Sequence, residues 1–309
     1  METALELKQI SYMFSDGRGI TDLSMQVKRG EIYMLYGGHN AGKTLLLQML
    51  TGTVLPQAGT IRLFGNADYL QEKRRMGYVP QKPYSIGGMS AMDMLHYFAL
   101  AYGVLEQDFE KSLALGFTEK KAVCHLPFYV QKKVNLGIAL LGKPDFILLD
   151  DPFQGLGTQE CESLLSILSS LNEERNMTIL LTGQDYELAS RIVKKYGILA
   201  DGKLKAELTS DTIKEECRRC IKIRTPQVER AITVIQNDFP QYEVLGDDFI
   251  RVFCPVSYSS KINAKLVSSG IEVCEIGIAG VNPQTFLSAL AGGEEIHVAD
   301  DTKRTIPYS

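Results

Sequence analysis

Apolar runs that stop abruptly at polar or glycine positions recur along the first two hundred residues. In FILLDDPFQG, at 146–155, four apolar residues closed by two aspartates read as a strand covered on both faces, as in a parallel sheet flanked by helices. EIYMLYGGHNAGKTLLLQML runs from a β-rich apolar segment through a glycine-containing loop into a leucine-rich helical pattern, and MGYV at 76–79 is another strand-like run. SAMDMLHYFALAYGVL has the spacing of one helix, with Leu95, Phe98, Leu100 and Tyr102 supplying much of its apolar character. Past about residue 210 the pattern changes. CIKIRT, YEVLGD, FIRVFCPV and IEVCEIGI read as strands, with PQVERAITVIQNDF and SSKINAKLVSSG as helices between them. That β-α-β-β-α-β order predicts a small ferredoxin-like α+β domain over 211–293, followed by a loose polar tail at 294–309.

Composition narrows the function classes. A chain of 309 residues suggests about two domains, and 45% hydrophobic with 23% charged residues is ordinary globular usage. A net charge of -4 and a pI near 5.7 leave no electrostatic footprint for nucleic acid. No apolar run approaches the roughly 18 residues that span a bilayer, and METALELKQI lacks the basic-then-apolar layout of a signal peptide. A cytosolic protein is expected, with any membrane role arriving through a partner. The six cysteines fit no dense disulfide scaffold at this length. Cys217 and Cys220 form a C-x-x-C pair that reads either as a metal site or as two structural thiols; with no His or Cys pair following at zinc spacing, the thiols are favoured.

The chemistry lies between strand and helix at 37–44. Gly37, Gly42, Lys43 and Thr44 satisfy G-x-x-x-x-G-K-[ST], with Gly38, His39, Asn40 and Ala41 completing the loop. Backbone N–H groups in such a loop cradle phosphates, the lysine reaches the β- and γ-phosphates, and the threonine ligates Mg²⁺. Asn40 stands where glycine is common; asparagine tolerates positive φ, so the loop is expected to form. His39 reads as an exposed loop side chain. Asp150, at the carboxyl end of a buried strand, is placed to hold the same Mg²⁺.

The order of these pieces resembles the ATP-binding cassette (ABC) family of transporter ATPases over residues 4–210. The chain has the phosphate loop, then YVPQ, then a helix-rich stretch, then HLPFYVQKKVNLGIALLGKPDFILLDDP. The resemblance implies an α/β P-loop domain over 1–210, with a helical subdomain near 82–135. It implies MgATP as the bound nucleotide, and Thr44, Gln81 and Asp150 as the residues around the metal. Phe14 in ISYMFSDG matches the aromatic that stacks on adenine, the alternative being a core aromatic. Gln81 matches the glutamine that senses Mg²⁺ and the membrane partner, the alternative being an exposed loop residue. GTIRLFGN matches the strand after the phosphate-loop helix, and TILLTGQDYELAS the strand that ends at the family's switch histidine. GVNPQTFLSALAGG is similar in position to the closing helix of exporter subunits whose membrane partners are separate ABC-2-type polypeptides.

The chain also departs from the family. The glutamate that polarises the attacking water is Asp151, one methylene shorter, and a catalytic group misplaced by about 1 Å can cost on the order of 10²-fold in rate. The switch histidine is Gln184, which can donate a hydrogen bond but cannot take up a proton or a charge as an imidazole does. The signature, usually Leu-Ser-Gly-Gly-Gln, is Leu126, Pro127, Phe128, Tyr129 and Val130. Proline offers no N–H, and the two aromatics put Cβ-bearing groups where a backbone must approach closely. Gly157 replaces an aspartate of the inter-subunit loop.

ABC dimers pair one subunit's phosphate loop and carboxylates with the other's signature. In a heterodimer with an intact second ABC ATPase, Asp151 and Gln184 would weaken one composite site and the missing signature the other; in a homodimer both defects would meet in each site. The expectation is an ATP-binding subunit of an exporter, peripheral on the inner face of the membrane. It would bind MgATP, turn it over poorly, and couple to an integral membrane subunit. The competing expectation is a regulatory or adaptor protein that binds ATP as a ligand without transport.

Overall fold

The computed structural model describes residues 2–104 and 120–292. The expected polar tail, and the part of the helical subdomain at 105–119, lie outside the described residues. Two compact units follow each other: the first covers Met1–Ser210 and takes in the last described helix from Leu287, and the second covers Asp211–Phe286.

The first unit holds two sheets. Strands β1 (Thr3–Met13), β2 (Gly19–Lys28) and β4 (Ala58–Leu63) form an antiparallel sheet in the order β2-β1-β4. The other strands are β3 (Ile32–Tyr36), β5 (Met76–Val79), β6 (Phe146–Leu149), β7 (Thr178–Gly183), β8 (Lys195–Ala200) and β9 (Lys203–Thr209). They pair as β5-β6-β7-β3-β8-β9, parallel throughout except for β8 with β9. Every residue of β3, β6 and β7 is buried, which is why these strands read as unbroken apolar runs rather than alternating ones. Helix α1 (Lys43–Leu50) follows β3, and its leucines join Leu5, Leu35, Phe146 and Leu148 in one core between the two sheets.

Helix α2 (Ala91–Tyr102) starts at a capping box: Asp93 N–H donates to Ser90 Oγ, and Ser90 N–H returns the bond to Asp93 Oδ2. It stops at Tyr102, short of the expected span, because Gly103 turns left-handed at φ 68° and closes the last turn. Leu95 packs with Ala91, Met94, Val134 and Ile138 of helix α3 (Phe128–Leu140). Leu100 and Tyr102, which supply much of the helix's apolar character, are 81% and 51% exposed. Helices α4 (Thr158–Arg175), α5 (Tyr186–Ala189) and α6 (Ser210–Glu216) follow.

In the second unit β10 (Cys220–Arg224), α7 (Val228–Ile235), β11 (Tyr242–Leu245), β12 (Phe249–Val252), α8 (Ser259–Ser268) and β13 (Glu275–Ala279) alternate as β-α-β-β-α-β. The sheet runs β11-β12-β10-β13, antiparallel at every step, which is the split β-α-β arrangement of a ferredoxin-like fold. Ile221, Ile223, Ile250 and Val252 meet Ala231, Ile235, Ile262 and Leu266 of the two helices. IEVCEIGI is strand only from Glu275: Arg224 pairs with Glu275 and β10 ends there, so the preceding residues have no ladder to join, and Ile271 goes into the core instead. Helix α9 (Pro283–Gly292) closes the described chain, and within the first unit Ser288 Oγ shares a hydrogen bond with the Tyr36 hydroxyl. Among the described residues no helix is long and apolar enough to cross a membrane.

Candidate functional site

The turn from β3 into α1 is built by two left-handed residues, Asn40 at φ 63° and Gly42 at φ 105°. The asparagine therefore takes the conformation that glycine would supply, as expected from its tolerance of positive φ. Helix α1 begins without a side-chain cap and without an acidic residue in its first turn, leaving its leading N–H groups and its positive dipole end for an external anion. A Cβ built at Gly38 meets nothing within 4 Å, so the loop backbone there borders open space. Lys43 curls back, its ammonium donating to Gly37 O at 2.6 Å and Gly38 O at 2.7 Å. Burial lowers its pKa, while Asp151 and Asp150 pull it back up.

The carboxylates arrive from the adjacent strand ends. Asp150 is buried at the end of β6 and accepts a 2.8 Å hydrogen bond from the Thr182 hydroxyl of β7. The same Thr182 oxygen accepts from Asp151 N–H at 3.0 Å. Asp151 itself sits at φ 44°, a left-handed position just past the end of the strand. Burial raises its carboxyl pKa, against the ammoniums of Lys43 and Lys132. Gln81, two residues past β5, donates to Gln154 Oε1 at 2.6 Å.

Phe14, His39, Asn40, Ala41, Gly42, Lys43, Thr44, Gln81, Asp150 and Asp151 line a single cavity of about 390 Å³, joined by Asp16, Arg18, Gly19 and Leu45. Phe14 is 43% exposed and T-shaped with Tyr12 at 5.0 Å between ring centroids, so its ring is not buried in the core. Gly37 and Gly38 take part through their carbonyls on Lys43. Gln184, one residue past β7, is not among the lining residues. The residues present suit a nucleoside triphosphate with a hard cation. Uncapped helical N–H groups and Lys43 face phosphate-sized space, and the Thr44 hydroxyl, the Gln81 amide and the Asp150 carboxylate supply the oxygen donors that Mg²⁺ takes alongside phosphate oxygens.

Sequence reasoning missed four contributors. Asp16 and Arg18 pair across the loop after β1, the guanidinium lowering the Asp16 pKa through its hydrogen bond; SDGRG reads only as a turn. Thr182 is the last polar residue of an apolar run, a weak sign that it serves a strand-end carboxylate. Lys132 lies in QKKVNL, which looks like a solvated helix face, yet it is buried at 5% exposure.

The divergent signature segment lies partly at the surface, with Leu126 buried and Pro127 and Phe128 exposed, and it makes specific contacts within the chain. Pro127 caps α3, the Phe128 ring covers Gly155, and the Tyr129 hydroxyl donates to Ser163 Oγ at 2.6 Å. Gly157 N–H donates to Glu160 Oε2 at the start of α4, so the glycine serves as a helix cap where the family has an aspartate.

Comparison with known proteins agrees with this geometry. Residues 20–154 match the family model described as ABC transporter. The chain is 27% identical to the bacitracin transport ATP-binding protein BcrA of Bacillus licheniformis, over 96% of this chain and 100% of that one. It is 24% identical to the protein of the same name from Enterococcus faecalis, over 95% and 98%. Among solved structures, the ATP-binding subunit of an ABC transporter aligns with a TM-score of 0.62 at 26% identity, over 69% of this chain and 92% of that one. A dimeric ATP-binding cassette in a post-hydrolysis state with ADP and phosphate aligns at 0.57 and 21%, over 67% and 98%, and shares the fold. Residues 20–154 thus form an ABC transporter domain, and the phosphate loop and the strand-end aspartates both lie within it.

Proposed function

We propose that the chain is the ATP-binding subunit of an ABC exporter, held at the inner face of the cell membrane by a separate integral membrane subunit. The observation that carries this is the convergence of Lys43, Thr44, Gln81, Asp150 and Asp151 on one cavity that the partly exposed Phe14 also lines. Adenine stacks on Phe14. The phosphates lie along residues 38–44, where Lys43 exchanges its two carbonyl partners for phosphate oxygens. Thr44, Gln81 and Asp150 hold Mg²⁺, which when bound neutralises phosphate charge. Asp151 orients a water by accepting its hydrogen bond, over a reach one methylene short. Gln184 supplies a neutral donor in the γ-phosphate sensor position.

Full-length similarity to bacitracin transport ATP-binding proteins supports the exporter reading, and the substrate class of those proteins is the first to test. The replaced signature residues Pro127, Phe128 and Tyr129 favour a dimer with a second, intact ABC ATPase over a homodimer. Near Gln81, the exposed Tyr84, Tyr97, Leu100 and Tyr102 offer an apolar surface for the membrane subunit. The same replaced signature is also what an adaptor that binds ATP without transport would show. Co-purification from membranes separates the two. An exporter subunit brings down an integral membrane protein that crosslinks from Tyr84 or Met89; recovery with no membrane protein, or crosslinks confined to 211–286, favours the adaptor.

A further inference from the structure

Asp151 holds a left-handed backbone conformation that a residue with a Cβ adopts at a cost, so something must hold it there. Its N–H donates to Thr182 Oγ1. Its carbonyl accepts from Lys132 Nζ at 3.1 Å, and the next carbonyl, of Pro152, accepts from the same ammonium at 2.9 Å. The lysine reaches these groups from the second turn of α3, buried, with its ammonium 5.3 Å from the centre of the Phe128 ring. Burial pushes its pKa down to about 8, with the charge of Asp151 opposing. A buried ammonium is costly unless its donors are satisfied, and an apolar side chain of similar length would fill the space at less cost. Three donors on one flexible stem are what two adjacent carbonyls at a turn can use.

We infer that Lys132 is a positioning residue for Asp151: it clamps the Asp151–Pro152 peptide so that the Asp151 carboxylate is held in the phosphate cavity. The inference rests on the function proposed above. It also ties the divergent segment to this chain's own carboxylate, because Phe128 and Lys132 lie on one face of α3 and reach the 151–155 turn together.

The test compares wild type, Lys132→Met, Lys132→Gln and Lys132→Arg, each as full chain in its membrane complex. Two quantities are read, the Kd for MgATP and kcat. Loss of positioning lowers kcat about 10-fold or more in the Met and Gln variants, with Kd within about 2-fold and most of kcat kept by Arg. An unchanged kcat in a folded Met or Gln variant overturns the inference, and so does a parallel loss of Kd and kcat. Should wild type bind MgATP without hydrolysing it, the hydrolytic reading fails and hydrogen exchange at the Asp151 amide decides. Exchange about 10-fold faster in Lys132→Met, with the amides of 38–44 unchanged, upholds the clamp; unchanged exchange rejects it.

Discussion

Phe128 lies directly over Gly155: a Cβ placed on that glycine would meet Phe128 Cε1 at 3.0 Å, and the glycine itself is left-handed at φ 78°. The first residue of α3, where the family carries a glycine of its signature, is thus a ring seated on the turn that follows this chain's own aspartates. Gly155→Ala should cost about 1–3 kcal/mol from the left-handed backbone and the crowded ring together. Adding Phe128→Ala should recover part of that loss, because the crowding vanishes and only the backbone strain stays. Urea unfolding of the two single variants and the double checks the coupling; strictly additive costs would mean the ring and the glycine do not interact.

Replacing Pro127, Phe128 and Tyr129 with Ser, Gly and Gly removes the Phe128 contact with Gly155 and the Tyr129 bond to Ser163, and puts two glycines into the first turn of α3. Thermal melts should show a loss of stability, since glycine in a helix costs about 1 kcal/mol per residue. Activity should behave differently. In the isolated chain, Asp151→Glu with Gln184→His should stay nearly inactive, because γ-phosphate donors from the opposite signature are worth about 10² to 10³ each in rate. Joining the two sets of changes should release hydrolysis beyond the sum of their separate effects, read as steady-state phosphate release.

The thiols give a check of a different kind. Cys124 and Cys274 are exposed, whereas Cys217 is buried and burial pushes its pKa to about 11, leaving roughly 10⁻³ of it as thiolate at pH 8. Alkylation of native protein at pH 8 should label Cys124 and Cys274 first and Cys217 far more slowly. Raising the pH toward 10 should speed Cys217 by on the order of the pH change itself, about 10-fold per unit, provided the fold persists. Rapid labelling of Cys217 at pH 8, followed by peptide mass spectrometry, would contradict its buried placement.

Strand runs without polar positions, the G-x-x-x-x-G-K-T loop and the paired aspartates made the nucleotide-binding half legible in the sequence, because each reflects a local requirement: two-sided burial, backbone approach to phosphate, and a strand-end carboxylate. Helical spacing marked the apolar residues of α2 without saying which of them the core covers: Leu95 is buried, whereas Leu100 and Tyr102 are exposed. The start of β13 was misplaced because β10, not the apolar run, sets where pairing ends. Lys132 and Thr182 were hard to see for a further reason. Their roles come from hydrogen bonds spanning 19 and 31 residues, and their own neighbourhoods mark Thr182 only weakly and Lys132 not at all.

The account as a whole holds that an intact phosphate site is joined to a weakened hydrolytic one. Its most direct test is one preparation of isolated full-length protein, measured for MgATP binding by calorimetry and for steady-state ATP hydrolysis, beside Lys43→Ala. The prediction is clear binding heat in wild type, loss of that heat in Lys43→Ala, and hydrolysis well below about one turnover per second, the low end of the usual enzyme range. Several turnovers per second from the wild-type chain alone would contradict it, and would make Asp151 an adequate base despite its length.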